Sequence, residues 1–165
     1  MRRLILIAHD IRSTHNVGSL LRTAEGLGVE KIYLTGYTPY PRSKDDGRLP
    51  HQAVKIHSQI VKTSLGAENM IDWEHYEAVS QVIAQLRSQG FTVVALEQAG
   101  DSIALPDYKP PAKLAIIVGN EVKGLGSEIF DKVDLTLEIP MFGDKESFNV
   151  VQASAMALYH CRFYV

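Results

Sequence analysis

The apolar positions of this chain fall into short runs and helical stripes that alternate along its length. Residues 3–9 are a run rich in Leu and Ile, the mark of a strand buried on both faces. A helix is expected from Asn16, a candidate N-cap, to about Leu27, with Leu20, Leu21, Ala24 and Leu27 at helical spacing and Gly28 as its stop. Residues 31–35 (KIYLT) predict a second strand; residues 36–50, with three prolines and two glycines, predict a polar loop. Over 51–64, Ala53, Ile56 and Ile60 favour helix, while Val54, Ile56 and Val61 leave strand as an alternative. A short strand is expected at 70–73, then an amphipathic helix from Tyr76 to Gln89 built on Val79, Val82, Ile83 and Leu86. Further strands are expected at 91–96, 114–118 and 134–139, and a C-terminal helix over roughly 147–163.

Strands apolar on both faces that alternate with helices predict an α/β fold around a parallel sheet. No linker or internal repeat interrupts the pattern, so residues 1–165 read as one domain. Ligands of such sheets sit beyond the carboxyl ends of the strands. The loops after residues 9, 96, 118 and 139 are therefore the ones to inspect.

Composition narrows the classes. The chain has 165 residues, 45% hydrophobic and 22% charged, enough for a real core and unlike a disordered segment. No apolar run approaches the roughly 20 residues that span a bilayer. The short run after Met1-Arg2-Arg3 is ended by His9, Asp10 and Arg12, so a buried strand is expected there rather than a signal peptide, and a cytoplasmic protein with it. A single cysteine, Cys161, excludes an internal disulfide and reads as a small buried hydrophobe. Net charge is −2, but residues 1–62 carry 10 Lys+Arg against 5 Asp+Glu, and residues 63–165 carry 7 against 14. The basic half suits a phosphate-facing surface, though taken alone a chance asymmetry of a solvated surface fits slightly better.

Three segments carry candidate chemistry. In Asn16-Val17-Gly18-Ser19-Leu20-Leu21-Arg22-Thr23-Ala24, Asn16 and Arg22 lie nearly two helical turns apart, and an arginine early in a helix after a strand can meet an anion bidentately. A capping Asn and a surface Arg explain the same residues. In Gly119-Asn120-Glu121-Val122-Lys123-Gly124-Leu125-Gly126, glycines let backbone approach a ligand, but neither GxGxxG nor a phosphate loop is present. Glu121 suits a ligand with hydroxyls or positive charge rather than a pyrophosphate. In the third, Ile139-Pro140-Met141 precedes Ser147-Phe148-Asn149 and a helix of small residues, with Ser147 as candidate N-cap; tight core packing explains the alanines but not Asn149. The six histidines show no metal-binding spacing. Tyr33, Tyr37 and Tyr40 with Arg42 and Lys44 could stack on and steer RNA, or simply pack.

Together the three segments resemble the NxGxxxRTA, GxExxG and IPM…S(L/F)N motifs of the SpoU/TrmH family of SPOUT RNA 2′-O-ribose methyltransferases. The resemblance covers essentially the whole chain. It implies an α/β fold with a C-terminal trefoil knot, a homodimer and S-adenosylmethionine as cofactor. It places the cofactor at Leu96 and Glu97, at Gly119, Asn120, Glu121 and Gly124, at Ile139, Pro140 and Met141, and at Ser147 and Asn149. It casts Arg22 as the catalytic residue, with Asn16, Glu121, Ser147 and Asn149 holding it, the ribose and the cofactor in register. Arginine stays protonated, so Arg22 is expected to orient the ribose and its phosphate rather than act as a base. Arg22 is also expected to serve the pocket of the partner subunit. No metal is expected.

The substrate implied is RNA, tRNA more than rRNA. The first strand begins at residue 3, so a domain without an N-terminal RNA-binding extension is expected, one that finds RNA alone, as a dimer, or with an accessory RNA-binding protein. Phe148 stands where leucine is more usual in the family. A catalytically silent RNA-binding relative, or a base methyltransferase of the same fold, is the alternative; the retained Arg22, Glu121, Ser147 and Asn149 argue against the first and the NxGxxxRTA motif against the second.

Overall fold

The computed structural model describes residues 1–165. Seven parallel strands form one sheet: β1 (Arg3–His9), β2 (Lys31–Thr35), β3 (Asp72–Tyr76), β4 (Thr92–Leu96), β5 (Ile103–Ala104), β6 (Lys113–Val118) and β7 (Leu135–Glu138). Their order across the sheet is β3-β2-β1-β6-β4-β7-β5. The helices are α1 (Thr14–Gly26), α2 (Pro50–Ser64), α3 (Val79–Ser88), α4 (Ser127–Phe130) and α5 (Val150–Phe163). The parallel α/β architecture expected from the alternation is thus present.

The sheet centre is buried on both sides, which is why its strands are continuously apolar. Leu4, Leu6 and Ala8 of β1 join one core with Leu20 and Leu21 of α1, Ile60 of α2 and Leu158 of α5. Ile5 and Ile7 face the other core, with Val82, Ile83 and Leu86 of α3 and Ile129 of α4. Each such side chain contributes about 1.5–3 kcal/mol on burial. Gly18 of α1 is a packing requirement: a Cβ there would collide with the backbone of Ile60 and Ser64 in α2, and the Thr63 hydroxyl already donates to the His15 carbonyl at 2.8 Å.

Several boundaries differ from expectation. α1 begins two residues before Asn16, because the Ser13 side chain accepts from the Asn16 amide at 3.2 Å and caps the helix. Asn149, not Ser147, caps α5, with its Oδ1 accepting from the Val151 amide at 2.9 Å. The strand expected at 70–73 lies at Asp72–Tyr76, so Tyr76 belongs to β3 and α3 starts only at Val79. Lys31 through Thr35 of β2 pair with Asp72 through Tyr76, and that register, not an apolar pattern, defines this edge strand. β5 and α4 were not expected; they are two and four residues long, too short to leave a period. α2 is helix, with Pro50 in its first turn.

Candidate active site

The chain runs outward from β1 to β2 and β3, then returns to lay β6 against the other side of β1. Loops at such a switch point open a crevice at the strand ends. A cleft of about 160 Å³, partly open to solvent, lies beside that point among the loops after β4, β6 and β7. It brings together Leu96, Glu97, Gly119, Asn120, Glu121, Gly124, Ile139, Met141 and Ser147 from three separate stretches of sequence. Pro140 and Asn149 do not line it. Gln98, Val118, Val122, Phe148, Val150 and Ala153 do; all but Ala153, one helical turn beyond Asn149, directly adjoin an expected residue in sequence.

Carboxylates pin the loops to one another. Glu121 accepts from the Arg12 amide at 3.0 Å, the Ser13 amide at 3.2 Å and the Asn16 side chain at 2.8 Å. Burial pushes its pKa up, but these bonds outweigh burial and leave it below the usual carboxylate range. The second motif is thereby tied to the start of α1. Asn149 reaches the Asn16 Oδ1 at 3.5 Å, the long end of hydrogen bonding, and adds the third motif. Glu97 accepts from the Gln98 amide at 3.0 Å and the Leu125 amide at 3.2 Å. Gly124 sits at φ +67°, and a Cβ there would run into that carboxylate, so glycine is required.

Asn120 is buried and fully engaged. Its Oδ1 accepts from the Val122 and Lys123 amides, both at 2.8 Å, and its Nδ2 donates to the Asp10 carbonyl at 3.1 Å and the Tyr37 hydroxyl at 2.7 Å. It shapes the turn that backs the cleft. Arg22 is exposed on α1, does not line the cleft and makes no hydrogen bond or ion pair within the chain. The structure therefore unites Asn16, Glu121 and Asn149 and leaves Arg22 apart.

Of the loop tyrosines, Tyr33 is buried and Tyr40 is stacked on His75 at 4.1 Å and covered by the Arg48 guanidinium at 3.6 Å; both pack. Only Tyr37 presents an open ring. Cys161 is buried, and burial pushes its thiol up to about 12, so it is inert packing.

The lining suits S-adenosylmethionine. Leu96, Val118, Ile139 and Met141 offer an apolar slot for a purine, while glycine backbone, Gln98 and Ser147 offer polar contacts at its edge.

Comparison with known proteins decides the family. The model of the SpoU rRNA Methylase family matches residues 3–159. The chain belongs to this family. A curated relative, the tRNA (guanosine(18)-2′-O)-methyltransferase of Borreliella burgdorferi, is 27% identical over 156 residues, which are 94% of this chain and 64% of the relative. The chain spans less than two thirds of the length of that relative and 56% of the next. The AdoMet-bound rRNA methyltransferase of Sinorhizobium meliloti shares the fold, with a TM-score of 0.79, 23% identity, and coverage of 97% of this chain and 56% of that one. A structure concerned with 2-OH methylation of C/U34 on tRNA has a TM-score of 0.76 at 22% identity and is covered over 94% of its length, with 97% of this chain aligned. The parallel α/β fold expected from the sequence is the fold these structures share.

Proposed function

We propose that this chain transfers a methyl group from S-adenosylmethionine to the 2′-oxygen of a ribose in RNA, in tRNA rather than rRNA. The observation that carries it is the cleft itself, where Leu96, Glu97 and expected residues of the second and third motifs converge at the ends of β4, β6 and β7, with Asn16 of the first motif bonded to Glu121 at its wall. Membership of the SpoU family and the tRNA 2′-O-methyltransferase among its relatives support the same reading. The tRNA preference also rests on the compact LLRTAEGLG stretch of α1.

Leu96, Ile139, Met141 and the Gly119–Gly124 turn would hold S-adenosylmethionine, with Ser147 at the rim. When bound, the cofactor supplies an electrophilic methyl group open to in-line attack. Glu121 is not a free base, since both its oxygens already accept hydrogen bonds. It fixes Asn16 and the β1–α1 loop against the cleft. Arg22, permanently charged, orients the ribose and its phosphate and favours the developing alkoxide. Positioning then supplies much of the rate.

A homodimer belongs to this reading, with Arg22 serving the partner's cleft. Arg22 stands apart from its own cleft, and α5 exposes Tyr159 and Phe163, one turn from each other with their rings tilted 45° at 4.7 Å. Such an aromatic pair suits burial against a second copy. The knot implied by the family, a cytoplasmic site of action and recruitment by an accessory RNA-binding protein complete the proposal.

The test is methyl transfer from labelled S-adenosylmethionine to unmodified tRNA and, separately, unmodified rRNA, with Arg22→Ala in parallel. Label in a 2′-O-methylnucleoside of tRNA that disappears in the variant is the expected result. Label on a base overturns the ribose assignment, and cofactor binding without transfer to either RNA favours a silent RNA-binding protein.

A further inference from the structure

Beside the cleft lies a second hollow of about 420 Å³, bounded by Arg12, Tyr37, Asn120, Val122 and Lys123. It shares Asn120 and Val122 with the cofactor cleft, so the two spaces have a common wall. Its lining is unusual for a chain of net charge −2: two cations, an open aromatic ring and no carboxylate. Neither Arg12 nor Lys123 takes part in any of the five ion pairs of the structure.

Tyr37 is 58% exposed yet held at both ends. Its amide donates to Asp10 Oδ1 at 3.1 Å and its hydroxyl accepts from Asn120 Nδ2 at 2.7 Å. Thr38 beside it is buried, donating to the Ala8 carbonyl and accepting from the Ile11 amide, both at 3.0 Å. An exposed ring fixed this way loses little entropy when something stacks on it. A flat aromatic face and two cations outside any ion pair, lining one hollow, match a nucleotide, with base on the ring and phosphate on the cations.

We propose that this hollow receives the acceptor nucleotide of the RNA. Its base stacks on Tyr37, its flanking phosphates meet Arg12 and Lys123, and its ribose lies against the Asn120–Val122 wall shared with the cofactor cleft. A base can reach Tyr37 only outside a duplex stack, so the acceptor is an unpaired or flipped nucleotide. This inference rests on the ribose methyltransferase reading above.

Three variants test it: Tyr37→Ala, Tyr37→Trp, and the double change Arg12→Gln with Lys123→Gln. Affinity for S-adenosylmethionine is measured by calorimetry, and KM and kcat with unmodified tRNA at several salt concentrations. Tyr37→Ala is expected to leave cofactor affinity unchanged and raise the KM for tRNA roughly 5- to 150-fold, the range for loss of one stacked base. Tyr37→Trp restores it. The double variant lowers the slope of log KM against log salt by about 1.4, for two single-strand phosphate contacts. A short single-stranded RNA quenches the introduced tryptophan, read against the native Trp73 background, and the same RNA in a duplex does not. Transfer by the wild type with all three variants neutral overturns the hollow and leaves the function standing. Quenching without any methyl transfer keeps the hollow and overturns the function. A weakened cofactor affinity in Tyr37→Ala assigns the ring to the cofactor cleft and overturns the proposal.

Discussion

Two long loops lie at the carboxyl ends of the strands, and they are built in opposite ways. The loop between β2 and α2 is closed by its own polar groups. Arg48 pairs with Asp46 through two nitrogens and donates to the carbonyls of Tyr40 at 3.0 Å and Pro41 at 3.1 Å. Asp46 also accepts from the amides of Ser43 and Arg48, at 3.4 and 3.1 Å, and His57 accepts from the Arg42 amide at 3.3 Å. The segment from Pro140 to Phe148, between β7 and α5, has a single hydrogen bond to the rest of the chain, from Gln98 to the Glu146 carbonyl at 2.8 Å. Its Phe142 is fully exposed. One loop is a finished scaffold that carries Tyr37; the other leaves its backbone groups for water or a ligand. Irregular backbone is ordered where its donors and acceptors find partners, whatever its sequence polarity.

Removing the keystone of the closed loop has the largest expected effect. Arg48→Ala leaves the Asp46 carboxylate, only 7% exposed, without its charged partner. Urea denaturation should show a loss of about 3 kcal/mol. An unchanged midpoint would mean the two loops do not differ as described.

Asp46→Asn gives a smaller loss, about 1–2 kcal/mol at neutral pH, and tests the same pair by titration. The Arg48 side chain outweighs burial and holds the Asp46 carboxyl well below the ordinary carboxylate value. Its stabilisation is therefore complete above the unfolded pKa of about 4 and is lost as pH falls through the lower folded value. The stability gap between wild type and Asp46→Asn should stay flat from pH 7 to about 4 and close only below.

Cofactor binding separates the loops by hydrogen exchange. Amides of residues 140–149 should slow when S-adenosylmethionine is added, while those of 36–49 stay as protected as before. Equal slowing in both would erase the contrast. The smallest effect is at Phe142: Phe142→Ala should change stability by no more than about 0.5 kcal/mol, because the ring packs on nothing.

How far the sequence was legible follows from which contacts are local. Residues 3–9 and 114–118 announce strands because both their faces are buried, and apolar runs record that directly. β3, reading Asp72-Trp73-Glu74-His75-Tyr76, is half exposed at the sheet edge and carries no such record. The helix starts were misplaced by two or three residues because each has two polar candidates close together, Ser13 and Asn16, then Ser147 and Asn149. Only the three-dimensional path of the chain decides which side chain faces the free amides. Glu97 and Asn120, expected at the cofactor site, line the cleft, and only the structure shows that their side chains hold its loops by accepting from backbone amides. Tyr37, Tyr40 and Tyr33 look alike in sequence, and only packing distinguishes the open ring from the covered ones.

The sequence by itself determined the parallel α/β class, the three motifs and through them the family, because periodicity and motif spacing are properties of the linear chain. Tertiary structure alone decided that Glu121 binds Arg12, Ser13 and Asn16, more than a hundred residues away, that Gly18 is needed for two helices to touch, and that Arg22 stands outside the cleft. Those are relations between distant segments, set by how strands order in the sheet, and no local pattern of residues encodes them.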